Sequence, residues 1–187
     1  IIVKNRTDTA SWNVYHSANT AAPETETLQF DINAATVDSN TRWNDTAPTS
    51  SVFTVGTSNQ VNGSSDAIIA YCFAEIEGYS KFSSYTGNGS TDGPFVFTGF
   101  RPAWVIFKRT DSTGSWFIAD IKRDVINPVG KYLFADLTNV ENTAADRADF
   151  LSNGFKVIVS NTNQNANGGT YIYWAFAEMP FKYANGR

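Results

Sequence analysis

The run YCFAEIEGYSKF at Tyr71–Phe82 is echoed near the far end of the chain by YWAFAEMPFKY at Tyr173–Tyr183, and Phe73-Ala74-Glu75 lies 103 residues before Phe176-Ala177-Glu178. Upstream of each copy stands an apolar stretch ending in lysine, Ile1-Ile2-Val3-Lys4 in one case and Val105-Ile106-Phe107-Lys108 in the other. A Thr-Asp turn and a Ser-Trp pair follow each: Thr7-Asp8 and Ser11-Trp12, then Thr110-Asp111 and Ser115-Trp116. Tyr132-Leu133-Phe134 stands where Thr27 to Phe30 stood, and Phe155 and Val157 stand where Phe53 and Val55 stood. The shared positions are mainly apolar or turn positions. A packing unit used twice needs those above all, because a duplicated face can bury itself against its twin.

The expected organisation is a first β unit over residues 1–84 and a second over 85–187, the latter including a connector and a lead-in strand. Unit two is preceded by Thr98 to Trp104, whereas unit one begins at the equivalent of Val105. Its own lead-in strand is therefore expected ahead of Ile1 in a longer polypeptide, and Tyr183–Arg187 reads as a natural C-terminus.

The fold class expected is all-β, two pseudo-repeated antiparallel units packed as a sandwich or as paired β-domains, with few or no helices. Short runs rich in Phe, Tyr, Val and Ile alternate with Asn-Gly, Gly-Gly and Ser-Gly breaks. Leu28, Phe30 and Ile32 alternate with polar neighbours, Ala67 to Glu75 forms one continuous candidate strand, and Phe95 and Phe97 point to one side of another. Tyr173 to Ala177 is apolar enough for a buried helix, but Gly168-Gly169 before it and Pro180 after it favour a strand. Glu141 to Phe150, with Asn139 or Thr143 as cap, is the best helix candidate.

Charged residues make up 17% of the 187-residue chain, below the usual quarter, and Ser, Thr, Asn and Gly fill the surface positions instead. A net charge of -4 provides no basic stripe for a phosphate backbone, which argues against nucleic acid as a partner. No apolar run approaches the length of a membrane-spanning helix. Cys72, the single cysteine, has no partner for a disulfide and reads as a small buried hydrophobe.

Glu75, Glu77 and Glu178 are acids in otherwise apolar tracts, and a partly buried glutamate can have the raised pKa of a general acid. Glu75 and Glu178 are counterparts across the repeat, however, which favours a shared ion pair, with Lys4 and Lys108 or with Arg6 and Arg109. His16, the lone histidine, lacks the His/Cys partners a metal site needs, and neither a nucleophile elbow nor a phosphate- or dinucleotide-binding fingerprint is present. No enzyme, cofactor or metal is expected. Asp8, Asp45, Asp66, Asp92 and Asp111 sit in Asn/Gly-rich turns and read as Asx turns. Among the aromatics, Trp12 and Trp116 recur in register and read as core. Trp43, Tyr85 and Tyr132 lie in or beside polar loops and are the candidates for an exposed glycan or partner contact.

Four motifs, YTGNG at Tyr85–Gly89, TGFRPAWV at Thr98–Val105, FLSNGF at Phe150–Phe155 and AFAEMPFKYANGR at Ala175–Arg187, resemble a C-terminal domain of large structural proteins of marine tailed bacteriophages and related prophages. The similarity spans nearly the whole chain. It implies a non-enzymatic virion component, tail-associated or part of a fibre or surface appendage. Its partners would be other virion proteins, copies of itself and a host-surface glycan. The resemblance brings no catalytic residues onto this sequence. A carbohydrate-binding module or adhesin is the alternative, and a polysaccharide-degrading domain a third reading.

Overall fold

A computed structural model describes residues 1–143 and 147–179. The strands, in chain order, are β1 (Ile2–Asn5), β2 (Asn13–Val14), β3 (Glu26–Gln29), β4 (Val37–Asp38), β5 (Ile68–Tyr71), β6 (Ser80–Thr86), β7 (Phe95–Phe97), β8 (Pro102–Arg109), β9 (Phe117–Asp120), β10 (Tyr132–Phe134), β11 (Ala148–Leu151), β12 (Gly154–Val157) and β13 (Thr170–Ala177). Among the described residues three one-turn α-helices accompany them, α1 (Asn40–Trp43), α2 (Asn59–Asn62) and α3 (Thr162–Asn165), with one 3-10 turn at Pro23–Thr25. The strands form three antiparallel sheets, in the orders β4-β3-β2-β1-β5, β10-β9-β8-β13-β6 and β11-β12-β7. The molecule is all-β and sandwich-like, as its alternating sequence demands.

The repeat holds residue by residue. In the first sheet Ile2 pairs with Tyr71 and with Val14; in the second, Ile106 pairs with Trp174 and with Ile118, the counterparts at every position. Asn13 opposite Gln29 corresponds to Phe117 opposite Phe134. Details outside the ladders repeat too. The Trp12 amide donates to Asp31 Oδ1 at 3.1 Å, and the Trp116 amide donates to Asp136 Oδ1 at 2.9 Å. Helices α2 and α3 are capped alike: Ser58 accepts from the Gln60 amide and Asn161 from the Asn163 amide, each satisfying a donor that a helix start leaves free.

Equivalent faces of the two larger sheets meet. Ile2, Val14 and Leu28 from the first pack with Ile106, Trp116, Ile172 and Trp174 from the second, and Trp12, Phe30, Phe82, Trp104 and Ile118 border the cluster. Phe73 and its counterpart Phe176 touch edge to face, with centroids 6.1 Å apart. Each large side chain fully buried in this layer contributes about 1.5–3 kcal/mol. On its far side the second sheet is covered by the third, with Val105, Phe107, Tyr171 and Tyr173 against Val96, Phe150, Phe155 and Val157. The far side of the first sheet is closed by α1, α2 and their loops, through Trp43, Val61, Phe53 and Val55. The order is therefore loop cap, sheet, sheet, sheet.

Several expectations need correction. The strand expected over Ala67 to Glu75 stops at Tyr71, and every residue from Ala70 to Glu77 is exposed, Cys72 included, so the cysteine is no core residue. Phe73, in the same stretch, touches the core on one side yet is 49% exposed. The helix candidate Glu141–Phe150 contains strand β11 from Ala148 onward; its residues 144–146 lie outside the described residues, as does the tract Pro180–Arg187. The helical turns α1 and α2 stand where the sequence reading places no helix. Strand β6 crosses the residue 84/85 boundary and joins the second sheet beside β13.

Candidate functional site

None of the three aromatic residues proposed as exposed contacts is exposed. Trp43, on α1, is 2% exposed and sits edge-on to Tyr15 with centroids 6.0 Å apart. Tyr85 stacks on Tyr171 at 4.8 Å and donates its hydroxyl proton to the Gln164 carbonyl at 2.8 Å. Burial pushes its phenol well above the usual range. Tyr132, fully buried, packs against Phe107 and Phe117 under the Arg147 guanidinium and donates to the Val129 carbonyl at 3.0 Å. For Tyr85 the cause is strand alternation: Ser84 and Thr86 take the outer side of β6, which leaves the ring to the inner side.

The glutamates also find other partners than expected. Glu75 pairs with Lys81, while Glu178 accepts from Arg101 Nη1 at 2.7 Å and its amide donates to the Arg101 carbonyl at 2.9 Å. Both carboxylates are engaged by cations on the surface rather than facing each other across a cleft, the arrangement two-carboxylate glycoside hydrolysis requires. Among the described residues no group of three or more His, Cys, Asp or Glu converges as a metal cluster would. No helix among them is long and apolar enough to cross a membrane.

Two surfaces stand out instead. The first is a slot of about 420 Å³ enclosed by the segment after β2 (Tyr15, His16), the loop Pro48–Phe53 and the segment after β5 (Cys72–Glu75), and lined also by Ile1, Phe82 and Trp174. His16 is 4% exposed and lies parallel to the Trp174 ring at 6.3 Å. Its Nδ1 accepts from the Ala18 amide at 3.1 Å, which leaves Nε2 to donate to the Tyr173 carbonyl at 3.2 Å. Burial lowers its pKa to about 4, so the imidazole is neutral near pH 7 and its two nitrogens are already used. That geometry suits a wall better than an acid or base.

The second surface is the outer face of the third sheet. Phe95 and Phe97 are 46% and 62% exposed, Val96 between them is buried, and Leu151 completes the row opposite Phe97 across Gly154. A Cβ at Gly154 would sit 2.1 Å from the Val96 carbonyl oxygen and 3.0 Å from Phe95 Cζ. Only glycine lets β12 come this close to β7 and lets the Phe95 ring lie over the strand. The Phe95 and Phe97 spacing signalled this face in the sequence; nothing in the sequence reading pointed to the slot.

Fold and surfaces together define an internally duplicated, all-β sandwich module whose aromatics are largely spent on its core. The chain belongs to the family described as Domain of unknown function (DUF7483), whose model matches residues 1–180. No curated protein and no solved structure matches the chain.

Proposed function

We propose that this chain is a non-enzymatic structural domain of a phage virion, set in the tail or a surface appendage and docked through the outer face of its third sheet. The observation that carries the reading is that face: Phe95, Phe97 and Leu151 stand exposed on a short, glycine-pinned sheet held rigidly by the core behind it. Flat apolar surface of this kind suits the centre of a protein interface, with Lys156 and Asp92, paired with each other, at its polar rim. A low-charge, amide- and hydroxyl-rich exterior suits a part that packs among neighbours without long-range charge repulsion. Copies of the same chain and other virion proteins are the partners this reading implies.

The carbohydrate-binding alternative loses its three candidate platforms to the core. Beside the Phe95 and Phe97 rings the polar groups Lys156 and Asp92 are already paired with each other.

The test is a cryo-EM map of the particle or of the purified parent assembly, paired with a Phe95→Asp/Phe97→Asp double variant. The expected result is the domain on the tail or appendage with this face against a neighbour, and failure of the variant to incorporate although it folds. A domain absent from the particle, or a bare face with normal incorporation, would overturn the proposal. Binding on a glycan array that the double variant abolishes would favour the adhesin reading.

A further inference from the structure

The third sheet is wider than its three strands. Residues 127–129, from the connection between β9 and β10, run antiparallel along the outer edge of β11. There the Val129 amide donates to the Ala148 carbonyl at 2.8 Å, and the Asn127 side chain donates to the Phe150 carbonyl at 2.9 Å and accepts from its amide at 3.0 Å. The order across the sheet is therefore 127–129, β11, β12, β7. Register sorts the outward side chains into two levels. At one level Leu151 stands opposite Gly154, and Gly154 opposite Phe97. At the other Asp149 stands opposite Lys156, and Lys156 opposite Phe95. Beyond β11, the pairing of Val129 with Ala148 carries Ile126, 74% exposed, to the level of Leu151.

We propose that this face pairs with the same face of a second copy of the chain, about a two-fold axis that runs along the strands between β11 and β12. The inference rests on the docking role proposed above for this face and names its partner. Such an axis keeps each level in place and reverses the order of the strands. Asp149 of one copy then faces Lys156 of the other, and the same contact forms a second time by symmetry. Leu151 faces the Phe95 ring, which lies over Gly154, and Phe97 faces Ile126. An axis across the strands would instead set Leu151 against Asp149 and leave both charges without a partner. Among the described residues no ion pair holds Asp149, and Lys156 is held by Asp92, which is open to solvent. Complementary charges at a fixed register choose both the partner and its orientation. The apolar side chains supply the area: Phe95, Phe97, Leu151 and Ile126 together expose roughly 400 Å², the size of the largest patch on a monomer and about half of what each partner buries in a standard interface. The charged level and the rim around it make up the polar remainder.

The test is the oligomeric state of the purified chain, followed by sedimentation velocity over a range of concentrations, with two charge variants made separately. In Asp149→Lys two lysines face each other across the interface, and in Lys156→Asp two aspartates do. Each variant alone is expected to dimerise at least about ten-fold more weakly than the unmodified chain. An equimolar mixture of the two is expected to recover a dimer with one chain of each, because both contacts are then opposite in sign. Recovery in the mixture separates a contact between copies from any effect within one chain. A monomeric unmodified chain overturns the pairing, as does a dimer that neither variant weakens or a mixture that stays as weak as its components. If a charge variant fails to fold, Leu151→Asp replaces it: loss of the dimer with unchanged circular dichroism supports the pairing, and an undiminished dimer refutes it. These failures differ from failure of the docking role. A monomeric chain whose incorporation still requires Phe95 and Phe97 gives the face to another virion protein, whereas a dimer in solution with this face bare on the particle overturns the role and leaves the pairing.

Discussion

The tract Tyr71–Glu75 and its copy Trp174–Glu178 share Phe-Ala-Glu, share a register and differ in almost every measure of environment. Trp174 to Ala177 of the second copy lie in β13, between β8 and β6 and between two other sheets, with Trp174 and Ala175 buried and Phe176 and Ala177 half-buried. The first lies at a sheet edge and is exposed along its length. A continuous apolar run such as Tyr171-Ile172-Tyr173-Trp174-Ala175 is what a strand buried on both faces requires. Burial, then, belongs to the neighbours of a segment and not to its motif. Duplication preserved the pairing pattern, while unshared strands, β6 and the third sheet, gave one half a deeper position than the other.

The largest test of that asymmetry is at the twin tryptophans. Trp116 is 1% exposed in the layer between the sheets and donates its indole proton to the Gln29 carbonyl at 2.9 Å, while Trp12 is half-buried at the border of the same layer. Trp116→Ala should cost about 3–5 kcal/mol in denaturant unfolding, and Trp12→Ala less than half of that. Equal losses would mean the halves are energetically symmetric after all.

His16 against its counterpart Asp120 comes next. Asp120 works at the surface, where it accepts from the Lys122 and Arg123 amides, whereas His16 is held neutral by burial with its pKa lowered to about 4. The unfolded chain takes up a proton near pH 6.5 that the native state refuses. Stability is therefore full above pH 6.5 and falls as pH drops toward 4, by roughly 3 kcal/mol. Urea midpoints measured across that range should show the loss, and His16→Gln should flatten it; an unchanged slope would place the proton elsewhere.

A smaller contrast separates the two helix-end asparagines. Asn165, buried, donates to the Val159 carbonyl at 2.8 Å, the Ser90 carbonyl at 2.7 Å and Asn88 Oδ1 at 3.1 Å, and it accepts from the Asn88 amide at 2.7 Å. Asn62 keeps only the first of these, to the Gly56 carbonyl at 3.0 Å. Asn165→Ala should cost about 2–3 kcal/mol and Asn62→Ala about 1 kcal/mol, read from thermal and denaturant unfolding. The smallest expected effect is at the paired glutamates. Both ion pairs are solvent-exposed, so Glu75→Gln and Glu178→Gln should each shift stability by less than about 1 kcal/mol, and high salt should shrink even that. A large loss at Glu178 alone would show that the Arg101 contact anchors the start of β8.

Much of the fold was legible because strand pattern and turn chemistry are local. The alternation of Phe95-Val96-Phe97 gave a strand with one buried and one open face, and the doubled Lys-ended stretches and Ser-Trp pairs gave the repeat with its register intact. The candidate contacts were not legible. Tyr85 sits among Ser83, Ser84 and Thr86, and composition alone puts it in a polar loop. In the folded chain period-2 alternation sends its ring inward onto Tyr171 while Ser84 and Thr86 stay exposed. Cys72 failed in the other direction: an apolar neighbourhood suggested burial, but the residue follows the end of β5 on the edge strand of the first sheet, where its side chain is exposed.

By itself the sequence determined that this protein is all-β, that one unit is used twice, and which residues of one copy answer to which of the other. These follow from side-chain periodicity and turn residues, which act over a few positions of chain. Only the tertiary structure decided that equivalent faces meet in one layer, that a third sheet covers one half and short helices the other, and that Cys72–Glu75 is left at an open edge. Those outcomes depend on contacts between segments as much as a hundred residues apart, whose burial is set by the packing around them.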